Sequence, residues 1–152
     1  MLRIGLVALA GLAAAAPARA DACAALAGRF VTTTGAALAG RSGSTVAFGA
    51  ADADLMLLDC RIPRQVILRS RFAEPNRSTF VLIGLAAKAL AGARAEEAET
   101  LALALHRSVR LSGGGASGRA GPVEIACSAA PAGEFRTSCL VRALRGSRAG
   151  RS

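Results

Sequence analysis

The chain of 152 residues contains no tryptophan and no tyrosine, five phenylalanines, one histidine (His106) and one lysine (Lys88). Without aromatic platforms between its cations, no specific nucleic-acid partner is expected, since single strands are held by bases stacking on π-faces. With one imidazole and no G-x-S-x-G elbow, a hydrolytic triad has little to draw on. Acidic residues are scarce as well, ten against nineteen basic ones, for a net charge of +9. Long apolar runs are missing too. The two longest, Ile4–Ala16 and the stretch around Phe80–Leu90, are about a dozen residues each, where a membrane span needs roughly 20. No two cysteines stand at C-x2-C to C-x4-C spacing, which argues against a zinc site, and no cofactor is expected.

What is present begins at the N-terminus. Residues 1–20 carry one early cation, Arg3, then the apolar run, Pro17, and small residues at Ala18 and Ala20. That order is the signature of a cleaved export signal. Cleavage after Ala20 removes only Arg3 and Arg19, so the net charge falls from +9 to +7 and the basicity survives. Nearly all of that cation is Arg, and Ala and Gly are abundant, a composition that a GC-rich genome also produces. An exported basic protein is drawn to anionic surfaces, either lipid headgroups or acidic glycans.

All four cysteines, Cys23, Cys60, Cys127 and Cys139, follow the expected cleavage point. An even count in an exported chain predicts two disulfides. Cys127 and Cys139 fall on two strand-like segments joined by a short Pro/Gly turn and form the natural local pair, which leaves Cys23 with Cys60. Each bridge contributes roughly 3 to 4 kcal/mol on the chain-entropy estimate.

Along the remaining chain, Ala22–Ala27 suits one or two helical turns and Arg29–Thr34, rich in β-branched residues, suits a strand. Gly40–Ser44 punctuates, Thr45–Gly49 suits a short strand, and residues 50–54 a polar turn. Leu55–Ile62 and Gln65–Phe72, separated by Pro63 and Arg64, predict a hairpin in which Val66, Leu68, Ser70 and Phe72 share one face. Ser78 can cap a helix over Thr79–Ala91 that is apolar nearly all round and stops at Gly92. Glu96, Glu97 and Glu99 followed by Arg107 and Arg110 match the dipole of a second helix over Arg94–Arg110, although the alternation Leu101, Leu103, Leu105 would also suit a strand. Residues 112–121, SGGGASGRAG, have the composition of a flexible loop. They spell G-x-G-x-x-G at Gly113, Gly115 and Gly118, but a strand rather than a helix should follow, so a dinucleotide site is not implied. Val123–Ala129 and Phe135–Arg142 predict a closing hairpin.

The fold expected is therefore α+β: a small antiparallel sheet of two hairpins, with possible N-terminal strands, packed against one or two helices and stapled by disulfides. The domain should span 21–143, with a disordered basic tail over 144–152. Arg61, Arg64, Arg69 and Arg71 could form a cationic patch on the first hairpin. His106 near the end of the second helix suits a solvated surface position. Asp52, Asp54 and Asp59 suit turn carboxylates. The function these features suggest is that of an exported, periplasmic or secreted accessory or binding protein of the bacterial envelope, whose partner is an envelope protein or an anionic surface. Two alternatives stand beside it: an inhibitor that inserts the 112–121 segment into an envelope enzyme, and a small hydrolase using Asp52, Asp54 and His106.

Overall fold

Alternation of apolar and polar residues over short segments dominates the structure, a computed structural model that describes residues 17–145. The expected export segment lies outside the described residues up to position 16, as does the basic tail from 146 onward. In chain order the elements are α1 (Pro17–Thr34), β1 (Ala37–Ser42), β2 (Thr45–Ala50), β3 (Ala53–Asp59), β4 (Gln65–Ser70), α2 (Arg77–Ala91), α3 (Ala95–Ser112), β5 (Gly115–Ala120), β6 (Val123–Ala129) and β7 (Thr137–Ala143). The strands form one antiparallel sheet in the order β1-β2-β3-β4-β7-β6-β5. The fold class is α+β as the sequence predicts, with a sheet of seven strands rather than two hairpins.

In the five inner strands every second residue is buried against the helices: Val46 and Phe48, Met56 and Leu58, Val66 and Leu68, Val123, Ile125 and Cys127, Cys139 and Val141. Leu26 and Phe30 of α1 join them, with the Phe30 ring 5.6 Å from that of Phe48. α2 is the central helix, with nine of its fifteen residues buried, and Gly92 closes it in the left-handed region at φ 74°. α3 settles the ambiguous segment as a helix, with Ala98, Ala102, Leu105 and Val109 forming its buried stripe.

Besides β1, a strand over Ala37–Ser42 where the sequence predicts only the punctuation of Gly40–Ser44, three segments depart from the sequence expectation, each for a physical reason. Arg29–Thr34 is helical, because Cys23, Leu26, Ala27 and Phe30 make a helical stripe and the threonines satisfy themselves along the helix. Thr34 Oγ1 donates to the Phe30 carbonyl at 2.6 Å and Thr32 Oγ1 to that of Gly28 at 3.2 Å, so β-branching does not expel them. Residues 115–120 are the edge strand β5 and not a flexible loop. There the small residues let α3 approach: a Cβ on Gly118 would press against the Leu101 side chain, and Ala120 is buried. Phe72, expected to share the face of Val66, Leu68 and Ser70, is 67% exposed because β4 ends at Ser70, and Ile62, at the end of the expected first strand, is 77% exposed because β3 ends at Asp59.

Both predicted disulfides are present. Cys23 joins Cys60 across 37 residues, and Cys127 joins Cys139 directly across the β6–β7 pair. Among the described residues no helix is long and apolar enough to cross a membrane.

Candidate anionic-surface interface

The hairpin β3–β4 places its four arginines in two groups. β4 occupies Gln65–Ser70, so Arg64 and Arg71 stand at opposite ends of one strand, roughly 23 Å apart at about 3.3 Å per residue. The single patch of Arg61, Arg64, Arg69 and Arg71 expected from the sequence is thereby divided. At the far end Arg71 pairs with Glu134 at 3.0 Å and its backbone N–H donates to Asp54 Oδ2 at 2.7 Å. Arg69 lies with its guanidinium 5.6 Å from the Phe135 ring centre. Arg71 is thus paired with an acid, and Arg69, which has no acidic partner among the described residues, is drawn against a ring.

Arg61 and Arg64 belong to a larger basic end that the topology assembles. A cleft of about 550 Å³ lies beside the Cys23–Cys60 bridge, lined by Ala22, Cys23, Arg41, Ser44, Arg61, Ile62 and Arg64 among others. The β1–β2 turn is tied to it by the Cys60 N–H donating to the Ser44 carbonyl at 2.9 Å. Arg41 is steadied by its Nε–H donating to the Gly43 carbonyl at 3.2 Å. Arg61 is bound to Asp59 through its guanidinium, with the closest contact at 2.6 Å. That hydrogen bond is the main reason the Asp59 carboxyl is held below the usual carboxylate range, against a smaller opposing effect of burial, and it keeps the pair ionised.

A second cleft, of about 790 Å³, adjoins the first and shares Arg64 with it. It is formed where the end of α2, the start of α3 and the last residues of β7 meet α1, and it brings Arg29, Lys88 and Arg94 to the same end. α1 walls both clefts, with Ala22 and Cys23 in one and Arg29 and Thr33 in the other, about two turns later. Arg29, Arg41, Arg64, Lys88 and Arg94 make no ion pair with any described residue; Asp59 and Glu96 are the acids nearby. Sequence reasoning reached Arg61 and Arg64 and missed Arg29, Arg41, Lys88 and Arg94. Each of those four sits on a different element, and only the strand order and the helix docking bring them together.

The residues of the hydrolase alternative do not form one site. Asp52 and Asp54 line a depression with Ser70, Phe72 and Thr79, and the Asp52 carbonyl accepts from Thr79 Oγ1 at 2.8 Å. His106 lines another with Glu74, Phe80 and Arg110. It is buried at 4% exposure rather than solvated, its ring 5.2 Å from that of Phe80, and its Nδ1 has no hydrogen-bond partner among the described residues. Burial and the neighbouring Arg110 lower its pKa below 6.5, with Glu74 and the Ala73 backbone opposing. The inhibitor alternative relied on a loop at 112–121, most of which is paired strand. Among the described residues no group of three or more His, Cys, Asp or Glu side chains could hold a metal ion. No family model, no curated protein and no solved structure matches this chain.

Proposed function

We propose that this is an exported accessory protein of the bacterial envelope, periplasmic or secreted, that attaches to an anionic surface through the basic end formed by α1, the β1–β2 turn, the β3–β4 turn and the α2–α3 junction. The observation that carries the reading is the pair of adjoining clefts that share Arg64 and collect Arg29, Arg41, Lys88 and Arg94 without ion partners among the described residues. Charges held on several rigid elements present a fixed field, and each Lys or Arg close to an anionic membrane surface contributes about 1 kcal/mol. The expected export signal and the two disulfides fit an oxidising compartment. The surface chemistry required is phosphate or carboxylate at high density, and shape-specific recognition is not needed.

Co-sedimentation with phosphatidylglycerol vesicles tests this. Binding should appear with anionic and not with neutral vesicles and should fall as salt rises, because exposed charges are screened over about 8 Å at physiological ionic strength. Arg29→Glu with Lys88→Glu should weaken it by about tenfold or more. Arg69→Glu with Arg71→Glu, the same charge change at the other end of the sheet, should leave it within about threefold. Equal losses in the two double variants would show that net charge alone is being read, and the assignment of the basic end would fall.

A further inference from the structure

The helices cover one face of the sheet, and among the described residues the other face is open. In an antiparallel sheet packed on one side the outward residues are expected to be polar. One of the three outward rows follows that rule throughout, and a second follows it but for Leu55. Asp59, Gln65, Arg142 and Glu124 stand side by side across β3, β4, β7 and β6, and Leu55, Arg69, Ser138 and Ser128 form the row at the other end. The middle row does not. Register pairs place Ala47 beside Leu57, Leu57 beside Ile67, Ile67 beside Leu140 and Leu140 beside Ala126, an unbroken apolar line across five strands. Each of these side chains is only half-buried, because no described residue packs above them.

We infer that this open face is the interface of a two-fold symmetric dimer, with a second copy of the chain as its occupant. Three features select a second copy. The chain carries +9 and repels itself over most of its surface, yet on this face Asp59 and Glu124 stand against Arg69, Arg119 and Arg142, an excess of a single cation. The row is also symmetric about Ile67, reading Ala, Leu, Ile, Leu, Ala. A two-fold axis along β4 at Ile67 therefore sets Leu57 of each copy against Leu140 of the other, and Asp59 against Arg142, as an isologous contact requires. Arg69, which would otherwise meet its own copy near the axis, is drawn toward the end of the sheet by Phe135. Third, five strands about 4.8 Å apart and roughly 20 Å long offer on the order of 500 Å² of flat area per copy before side-chain relief is counted. That lies toward the lower end of specific interfaces, which bury about 800 Å² per partner, and indicates a reversible dimer. Face-to-face sheets pack about 10 Å apart with their strands within about 30°, which leaves the basic end of each copy at the rim.

Sedimentation equilibrium of the oxidised chain, from about 1 to about 200 μM, covers the range in which a contact of this size associates. At high salt, where attachment through exposed charge is suppressed, the mass should rise from monomer to dimer with concentration. Ile67→Lys should weaken association about thirtyfold or more, as loss of a central anchor does. Ala126→Arg, at the margin of the row, should weaken it as well and decides the matter if Ile67→Lys does not fold by far-UV circular dichroism. In the unsubstituted chain, methyl resonances of Leu57, Ile67 and Leu140 should shift with concentration. A monomer at every concentration, a dimer that survives both substitutions, or methyl shifts confined to other surfaces would each overturn the assignment. None of these readouts depends on vesicle binding.

Discussion

His106 is 4% exposed on the buried side of α3, in contact with Phe80 and close to the ion pair of Arg110 with Glu74. Its pKa is lowered chiefly by burial and then by Arg110, so the unfolded chain binds the imidazole proton more tightly than the folded one. The contribution of the neutral ring is therefore fully present above the unfolded pKa of about 6.5 and is lost progressively as pH falls below it. Stability should decline from pH 7 to pH 5 with a slope approaching, at most, one proton, or about 1.4 kcal/mol per pH unit. In His106→Leu this component of the slope should vanish while the carboxylate-driven decline at lower pH remains. Urea unfolding followed by far-UV circular dichroism at several pH values reads both, and parallel pH profiles for the two proteins would refute the argument. The same residue illustrates what its neighbours in sequence conceal. The dipole argument that favours a cation at a helix end says nothing about which face of the helix is covered, and here Phe80 of α2 covers it.

At the level of elements, α2 and α3 touch through glycine. Gly84 has no room for a side chain: a Cβ there would collide with the carbonyl oxygen of Ala95, at the first turn of α3. Gly84→Ala should cost about 1–3 kcal/mol by overpacking. Gly28→Ala, in α1 with open space around it, should instead add about 0.5–1 kcal/mol through helix propensity. Opposite shifts in thermal midpoint for these two identical substitutions are the expected result; a stabilised Gly84→Ala would mean that the α2–α3 packing is not as described. Glycine is also where the sequence misleads. The Gly-rich 112–121 segment has the composition of a linker, and its smallness instead serves the close approach of Leu101 over Gly118. The elements that alternate or follow a clear stripe were legible, namely β2, β3, β4, α2, β6 and β7, because their side chains carry the packing. β1 and β5 were not, since edge strands of small residues are held by backbone pairing, which composition does not record. α1 was half legible: its stripe from Cys23 to Phe30 is helical, and the β-branched residues that follow are retained by hydroxyl hydrogen bonds to the preceding turn.

For the molecule as a whole, the two disulfides have different tasks. Cys127–Cys139 cross-links neighbouring strands already paired in register, with the Cys127 sulfur beneath the Ala102 carbonyl of α3, whereas Cys23–Cys60 fastens α1 to the sheet at the basic end and forms part of the cleft wall. Its loop is also the longer, 37 residues of separation against 12. On the chain-entropy estimate the two bridges are worth roughly 4 and 3 kcal/mol, so stability alone separates them weakly. Binding should separate them well. Freed from Cys60, the start of α1 loses its covalent tie beside Arg41, Arg61 and Arg64, and the field at the basic end is no longer held on fixed elements. Cys23→Ser with Cys60→Ser should therefore lower affinity for anionic vesicles several-fold at a temperature where the variant is still folded. Cys127→Ser with Cys139→Ser should be destabilised to a similar degree and bind as the parent does. Vesicle titrations of the three proteins, each checked for folding by circular dichroism at the same temperature, make the comparison. If both variants lost affinity equally, the basic end would be reporting general stability and not the rigid gathering of cations that α1 and its bridge provide.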